Sequence, residues 1–158
     1  QKDSHWAQIE TTIPSEEFDI FTIHLPFWRP GRYEAQNYIS NVRNLEIYNE
    51  HHIPLSYKKL TNNAWRITNN GSEKVIIKYQ YYCKQVDAGG SLLNNKEIYI
   101  NFINCLLYVP QKIFQPCLVS VDIAVKVFYA NIGELCIIPC SVEYDICDIQ
   151  HVPVSERG

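Results

Sequence analysis

At 158 residues with 46% hydrophobic content, the chain has the length of one ordinary domain and enough apolar mass for one sizeable core. Its net charge of −3 forms no basic face, the longest basic run being Lys58-Lys59, which argues against nucleic acid as a partner. No apolar stretch approaches the roughly 20 residues of a spanning helix, so no membrane partner is expected. The 11 Tyr, 6 Phe and 3 Trp favour half-buried pleated surface, and the composition leans towards strands. The six cysteines, Cys83, Cys105, Cys117, Cys136, Cys140 and Cys147, suit either disulfides or small buried apolar positions. The chain starts at Gln1 and holds no Met, which is compatible with a removed signal peptide and a secreted or periplasmic address.

In chain order, the segment from His5 to Thr12 alternates weakly. Asp19 to Leu25 then gathers Phe21, Ile23 and Leu25 on one face, as a strand does and a helix does not. Between Tyr33 and Leu45, the near-helical spacing of Tyr38, Val42 and Leu45 predicts at most one or two helical turns. Ala64 to Thr68 is a short strand, and Asn69-Asn70-Gly71-Ser72 follows it. Asn-Gly tolerates the positive φ angles of a type I′ turn, so a hairpin is expected there, leading into Lys74 to Cys83. Along that second strand Val75, Ile77, Tyr79, Tyr81 and Cys83 share one face.

Glu97 to Ile103 is a shorter candidate. Leu118 to Tyr129 is the strongest, with Val119, Val121, Ile123, Val125, Val127 and Tyr129 in phase. Pro14-Ser15, Pro30-Gly31, Gly89-Gly90, Pro110, Pro116 and Pro139 punctuate the runs. The pattern predicts an all-β fold: an antiparallel β-sandwich of about nine strands with at most one short helix. No linker or repeat divides it, so residues 1–158 read as a single domain.

The chain carries no recognisable catalytic constellation. A thermolysin-type zinc site needs His-Glu-x-x-His on a helix, and His5, His24, His51, His52 and His151 do not supply it. His51-His52 are adjacent and read as a surface loop pair. Cys136-x-x-x-Cys140 followed by Cys147 lacks a fourth ligand and the tight spacing of a zinc knuckle. Glu16-Glu17 and Asp145/Asp148 are more simply solvated charge than acid–base pairs, and Asp87-Ala88-Gly89-Gly90 reads as a turn. Asn70-Gly71-Ser72 matches a glycosylation sequon, but its turn role already accounts for it. No catalytic residue, metal ligand or cofactor is therefore assigned to this chain.

One segment stands out: Leu25-Pro26-Phe27-Trp28-Arg29-Pro30-Gly31-Arg32-Tyr33-Glu34. Its plain reading is a strand-ending turn whose aromatics cap the core. Its functional reading is a rigid loop presenting Trp28, Arg29, Pro30, Gly31, Arg32, Tyr33 and Glu34 to a neighbouring surface, since Arg and aromatic side chains anchor interfaces.

The same segment resembles the signature Leu-Pro-x-Trp-x-Pro-Gly-x-Tyr near the start of the glycyl aminopeptidases, the sixty-first metallopeptidase family. Asn41-Val42-Arg43-Asn44-Leu45, Lys58 to Trp65, Val75 to Tyr82, Asp87 to Gly90 and Tyr99 to Cys105 follow in that family's order. The resemblance spans roughly residues 5 to 117; the stretch from Leu118 does not match it. It implies a non-catalytic β-domain that precedes a thermolysin-like zinc domain of an enzyme removing small amino-terminal residues from peptides. Zinc is then expected in that catalytic domain, not here. The implied partner is the catalytic domain of the same polypeptide, with peptide substrate touched only indirectly, and Trp28, Pro30, Gly31 and Tyr33 are the implied interface or cleft element.

Two other readings stand beside it. A stand-alone sandwich could bind peptide or glycan through exposed aromatics, which calls for a concave aromatic groove. A hydrolase with an unrecognised site would need a buried polar cluster with shifted pKa values. The docking reading calls instead for an exposed apolar patch.

Overall fold

The computed structural model describes residues 5–28, 34–84, 90–94 and 98–115 in full, and the backbone of two further strands, 118–127 and 136–145. The chain divides into a unit ending at Ile113 and a second unit beginning at Phe114.

The first unit is all-β and antiparallel, as its alternation predicts. Strand β1 (Trp6–Pro14) pairs with β6 (Lys74–Tyr82), which pairs on its other side with β3 (Val42–Asn49). A second sheet runs β2 (Ile20–His24), β5 (Ala64–Thr68), β4 (Tyr57–Thr61). The two inner faces share one core, in which Ile13, Ile47, Val75, Ile77 and Tyr79 of the first sheet meet Phe21, Ile23, Trp65 and Ile67 of the second. Along β6, Val75, Ile77, Tyr79 and Tyr81 are buried while their neighbours are exposed or half-buried. A slip of one residue would turn all four outwards, so the pairing of Ile77 with Thr11 and Ile47 is set by burial. A smaller ladder joins β7 (Leu92–Leu93) to β8 (Ile98–Tyr99), and Lys84 bridges to Leu92.

The chain crosses between sheets at tight corners. After β3, Asn49 Oδ1 accepts the N–H groups of His51 and Ile53 at 3.0 and 2.9 Å, and His52 takes a φ of 58°. The returning segment lies along β3, with Leu55 N–H donating to the Ile47 carbonyl, before β4 enters the second sheet. His51 and His52 are both exposed in this corner.

Three expectations change, and a fourth, the one or two helical turns after Tyr33, holds in narrower form. Asn70 (φ 55°) and Gly71 (φ 77°) do take the left-handed backbone that Asn-Gly favours, yet β5 and β6 lie in different sheets. The turn is a sandwich corner and not a hairpin, because buried Asn69 and Ser72 bind it to the parallel corner at Ser15. Of the predicted helical segment only a 3₁₀ turn forms, Tyr38–Asn41, and Val42 and Leu45 belong to β3. Glu97 to Ile103 is not one strand: β8 covers Ile98–Tyr99, and a single turn of helix, α1, covers Phe102–Cys105. Pro139 is no breaker but sits within a strand opposite Ala124, in a two-stranded ladder, the kind of edge position that tolerates proline.

That strand belongs to the second unit. Here β9 (Leu118–Val127) and β10 (Cys136–Asp145) pair antiparallel along their whole length, from Leu118↔Asp145 to Val127↔Cys136. Tyr129, Cys147 and Asp148 lie outside the described residues.

Candidate functional site

The strand β2 delivers the singled-out segment. Its last core residue, Leu25, is fully buried and is fixed by two bonds with Asn63: Leu25 N–H to the Asn63 carbonyl (2.8 Å) and Asn63 Nδ2 to the Leu25 carbonyl (2.9 Å). Beside it His24 and Tyr108 exchange both backbone hydrogen bonds, at 2.8 and 2.9 Å, and their rings lie 5.6 Å apart. The backbone is thus held from both sides up to Leu25.

Beyond Leu25 the side chains turn to solvent. Phe27 is 55% exposed and Trp28 46% exposed, so neither caps the core. The loop is closed at its neck by Gln36 N–H donating to the Phe27 carbonyl at 2.7 Å, and Gln36 Nε2 reaches the Glu34 carbonyl at 3.1 Å. Glu34 is exposed on the return limb. Arg29, Pro30, Gly31, Arg32 and Tyr33 lie outside the described residues. Leaving two large apolar groups in water forgoes roughly 1.5–3 kcal/mol of burial each. Phe27 was not among the residues singled out for an interface role. The residue following a strand-ending proline, adjacent to an exposed Trp, is the signal that could have found it.

A second cluster lies on the outer face of the sheet β1-β6-β3. The Arg43 guanidinium stacks 3.4 Å from the Trp6 ring centroid, and Trp6 leans on Tyr82 at 4.9 Å. Gln80 Oε1 accepts from Arg43 Nε (2.7 Å) and from Asn44 Nδ2 (3.2 Å). Asn44 has a φ of 54°, at the point where the pairing of β3 with β6 shifts register. Arg43 occupies a face of Trp6 that a sugar ring would need for stacking.

The titratable groups are structural. Burial pushes the Cys105 thiol and the Tyr81 phenol each up to about 12, and raises Tyr79 further. Glu17 holds Lys112 at 2.6 Å, so it is half of an ion pair and not of an acid–base pair. Among the described residues no three His, Cys, Asp or Glu side chains gather where a metal ion could bind, and no helix is long and apolar enough to cross a membrane. The Cys136, Cys140 and Cys147 side chains lie outside the described set.

Comparison with known proteins gives two findings. One structure similar to this chain is the crystal structure of an aminopeptidase N family protein from Idiomarina loihiensis, at a TM-score of 0.66 and 21% identity. The alignment covers 72% of this chain but only 19% of that protein, so the chain spans about a fifth of its length and the likeness concerns the fold. No curated protein matches. The family model for the Peptidase M61 N-terminal domain matches residues 1–132, further along the chain than the sequence resemblance reached. Its coverage includes the Trp28 loop, the Arg43 cluster and β9, and the chain belongs to the Peptidase M61 N-terminal domain family.

Proposed function

We propose that this domain is the non-catalytic front part of a zinc-dependent aminopeptidase, that it packs on the catalytic domain of the same polypeptide, and that the loop between Phe27 and Gln36 forms part of the wall of the substrate cleft. The observation that carries this reading is the exposed pair Phe27 and Trp28 at the end of a rigidly held strand. An aromatic pair set on a fixed backbone suits docking, because little order remains to be imposed when the partner arrives. Membership of a peptidase N-terminal domain family supports the peptidase part of this reading. Zinc, its ligands and the general base then belong to the catalytic domain, and peptide substrate meets this chain only at the cleft rim. A secreted or periplasmic address accords with such an enzyme.

The test is to sequence the gene beyond Gly158 for an in-frame His-Glu-x-x-His helix, then to place Phe27→Ser with Trp28→Ser in the full polypeptide. Docking predicts a rise in KM for peptides with small amino-terminal residues and faster proteolysis between the domains, with the melting of the isolated domain unchanged. A double variant with unaltered kinetics and proteolysis would remove the docking role. A chain ending at Gly158 would leave a stand-alone module that binds peptide or glycan.

A further inference from the structure

We infer that Arg43 is a preorganised binding site for a single carboxylate, taking an acidic side chain of a partner protein on the outer face of β3. This does not rest on the docking reading, which concerns the other sheet.

Two contacts fix the guanidinium. Its face lies on Trp6 at 3.4 Å, and its Nε–H donates to Gln80 Oε1 at 2.7 Å. Gln80 is itself held, because the same oxygen accepts from Asn44 Nδ2. The irregular pairing at Arg43, with Asn44 in the left-handed region, swings this part of β3 out of the regular ladder. A guanidinium carries N–H donors on three nitrogens, and among the described residues only Nε is engaged. The donors on the two Nη atoms lie in the plane of the group, so the stack on Trp6 does not cover them. Among the described residues no carboxylate stands within ion-pair distance of Arg43. The side chain is exposed, and its order has been imposed before any ligand arrives.

The surroundings select the ligand. The two carboxylates on this face are engaged elsewhere: Glu10 with Lys78 at 3.1 Å, and Glu46 as acceptor from the Tyr48 hydroxyl at 3.1 Å. Lys78 and Lys74 share this face with them, so selection comes from geometry: a lone carboxylate can meet the two Nη donors side by side. Lys58 and Arg66, opposed across β4 and β5, carry as much charge without any such hold, and they serve as the comparison.

The experiment follows the Arg43 side-chain Nε–H and the Trp6 indole N–H by NMR. The chain is titrated with N-acetyl-Ala-Glu-Ala-amide, with its Gln counterpart, and with inorganic phosphate. The Glu peptide should shift both signals to saturation, and the Gln peptide should leave them in place. Arg43→Lys keeps the charge and loses the fork, and should weaken binding by about tenfold. Gln80→Met frees Nε and should weaken it severalfold with Arg43 intact, so a folding failure of one variant does not decide the matter. Lys58→Gln with Arg66→Gln should bind as the parent does. Equal shifts from the Gln peptide, unchanged binding in Arg43→Lys, a loss that follows Lys58 and Arg66, or tighter binding of phosphate than of the Glu peptide would each overturn the assignment.

Discussion

The Asn69 carboxamide reaches across 54 residues of sequence to donate to the Ser15 carbonyl at 2.9 Å, tying two sheet-crossing corners into one. The same Nδ2 donates to the carbonyls of Phe18 (2.9 Å) and Ser72 (2.7 Å), and Ser15 Oγ donates to the Ser72 carbonyl (3.1 Å). Asn69 is fully buried. Asn69→Ala leaves the Phe18 carbonyl without its side-chain donor, while the Ser15 and Ser72 carbonyls keep the Phe18 N–H and Ser15 Oγ, and it should lower stability by about 1–3 kcal/mol, the usual cost of an orphaned buried group. Gly71→Ala separates this effect from backbone strain. A Cβ there meets nothing within 4 Å, but φ is +77°, so only a conformational cost of roughly 1 kcal/mol is expected. Urea unfolding of both variants checks the ranking.

Tyr79 makes a second long-range tie. Its hydroxyl donates to the Cys105 carbonyl at 2.6 Å and accepts the Leu107 N–H at 3.3 Å, fastening the end of α1 to β6. Tyr79→Phe keeps the ring in the core and removes only the oxygen. Both backbone groups then stay buried without that partner, and a loss of about 1–3 kcal/mol follows. The same measurement in urea should show an unchanged slope, because the buried apolar area is the same.

The legible parts of this fold are those where one face is buried and the ladder is regular. Along β6 the alternation of Val75, Ile77, Tyr79 and Tyr81 mirrors burial residue by residue. Strand β3 was hidden because the irregularity after Arg43 breaks its period, leaving Val42 and Leu45 at a helical spacing by accident. Strand β4 was hidden for another reason: all five of its residues are exposed, so no alternation exists to be read. At Asn69-Asn70-Gly71-Ser72 the local turn chemistry was legible but the partner was not. Which sheet receives the next strand depends on Asn69 meeting Ser15, a contact no local pattern encodes. The loop after Leu25 was legible as special through its prolines and aromatics. Arg43 was not, since its hold depends on Trp6 and Gln80, each 37 positions away.

Buried acids set the alkaline limit. Cys105 is raised from its ordinary 9.0 to about 12 by burial, and Tyr81 from 10.0 to about 12 by the same cause. The unfolded chain therefore gives up these protons at lower pH than the folded one. Their contribution is fully present below pH 9 and is lost as pH rises from there towards 12. Melting temperature should fall steadily across that window. Native protein at pH 8 should leave Cys83 and Cys105 unalkylated by iodoacetamide, as read by peptide mapping, while urea exposes both. Ready alkylation of either thiol in the native state would contradict the burial.

Strand β4 is the sheet's open margin. Among the described residues no backbone group of Tyr57–Thr61 bonds to any strand other than β5. Such a row of free donors and acceptors invites pairing with a second copy, and Lys58 and Lys59 sit in the middle of it. Two copies joined antiparallel along this edge would bring four ammonium groups together, which opposes the contact. Replacing both lysines by Thr keeps strand propensity and removes the charge. Because both positions are exposed, the melting temperature should barely move. Light scattering should nonetheless show concentration-dependent association absent from the parent, strongest at low salt in the comparison because the parent's repulsion is then least screened. A variant that stays monomeric at high concentration would show that the edge is protected by its backbone shape, including the irregular pairing after Lys59, and not by charge.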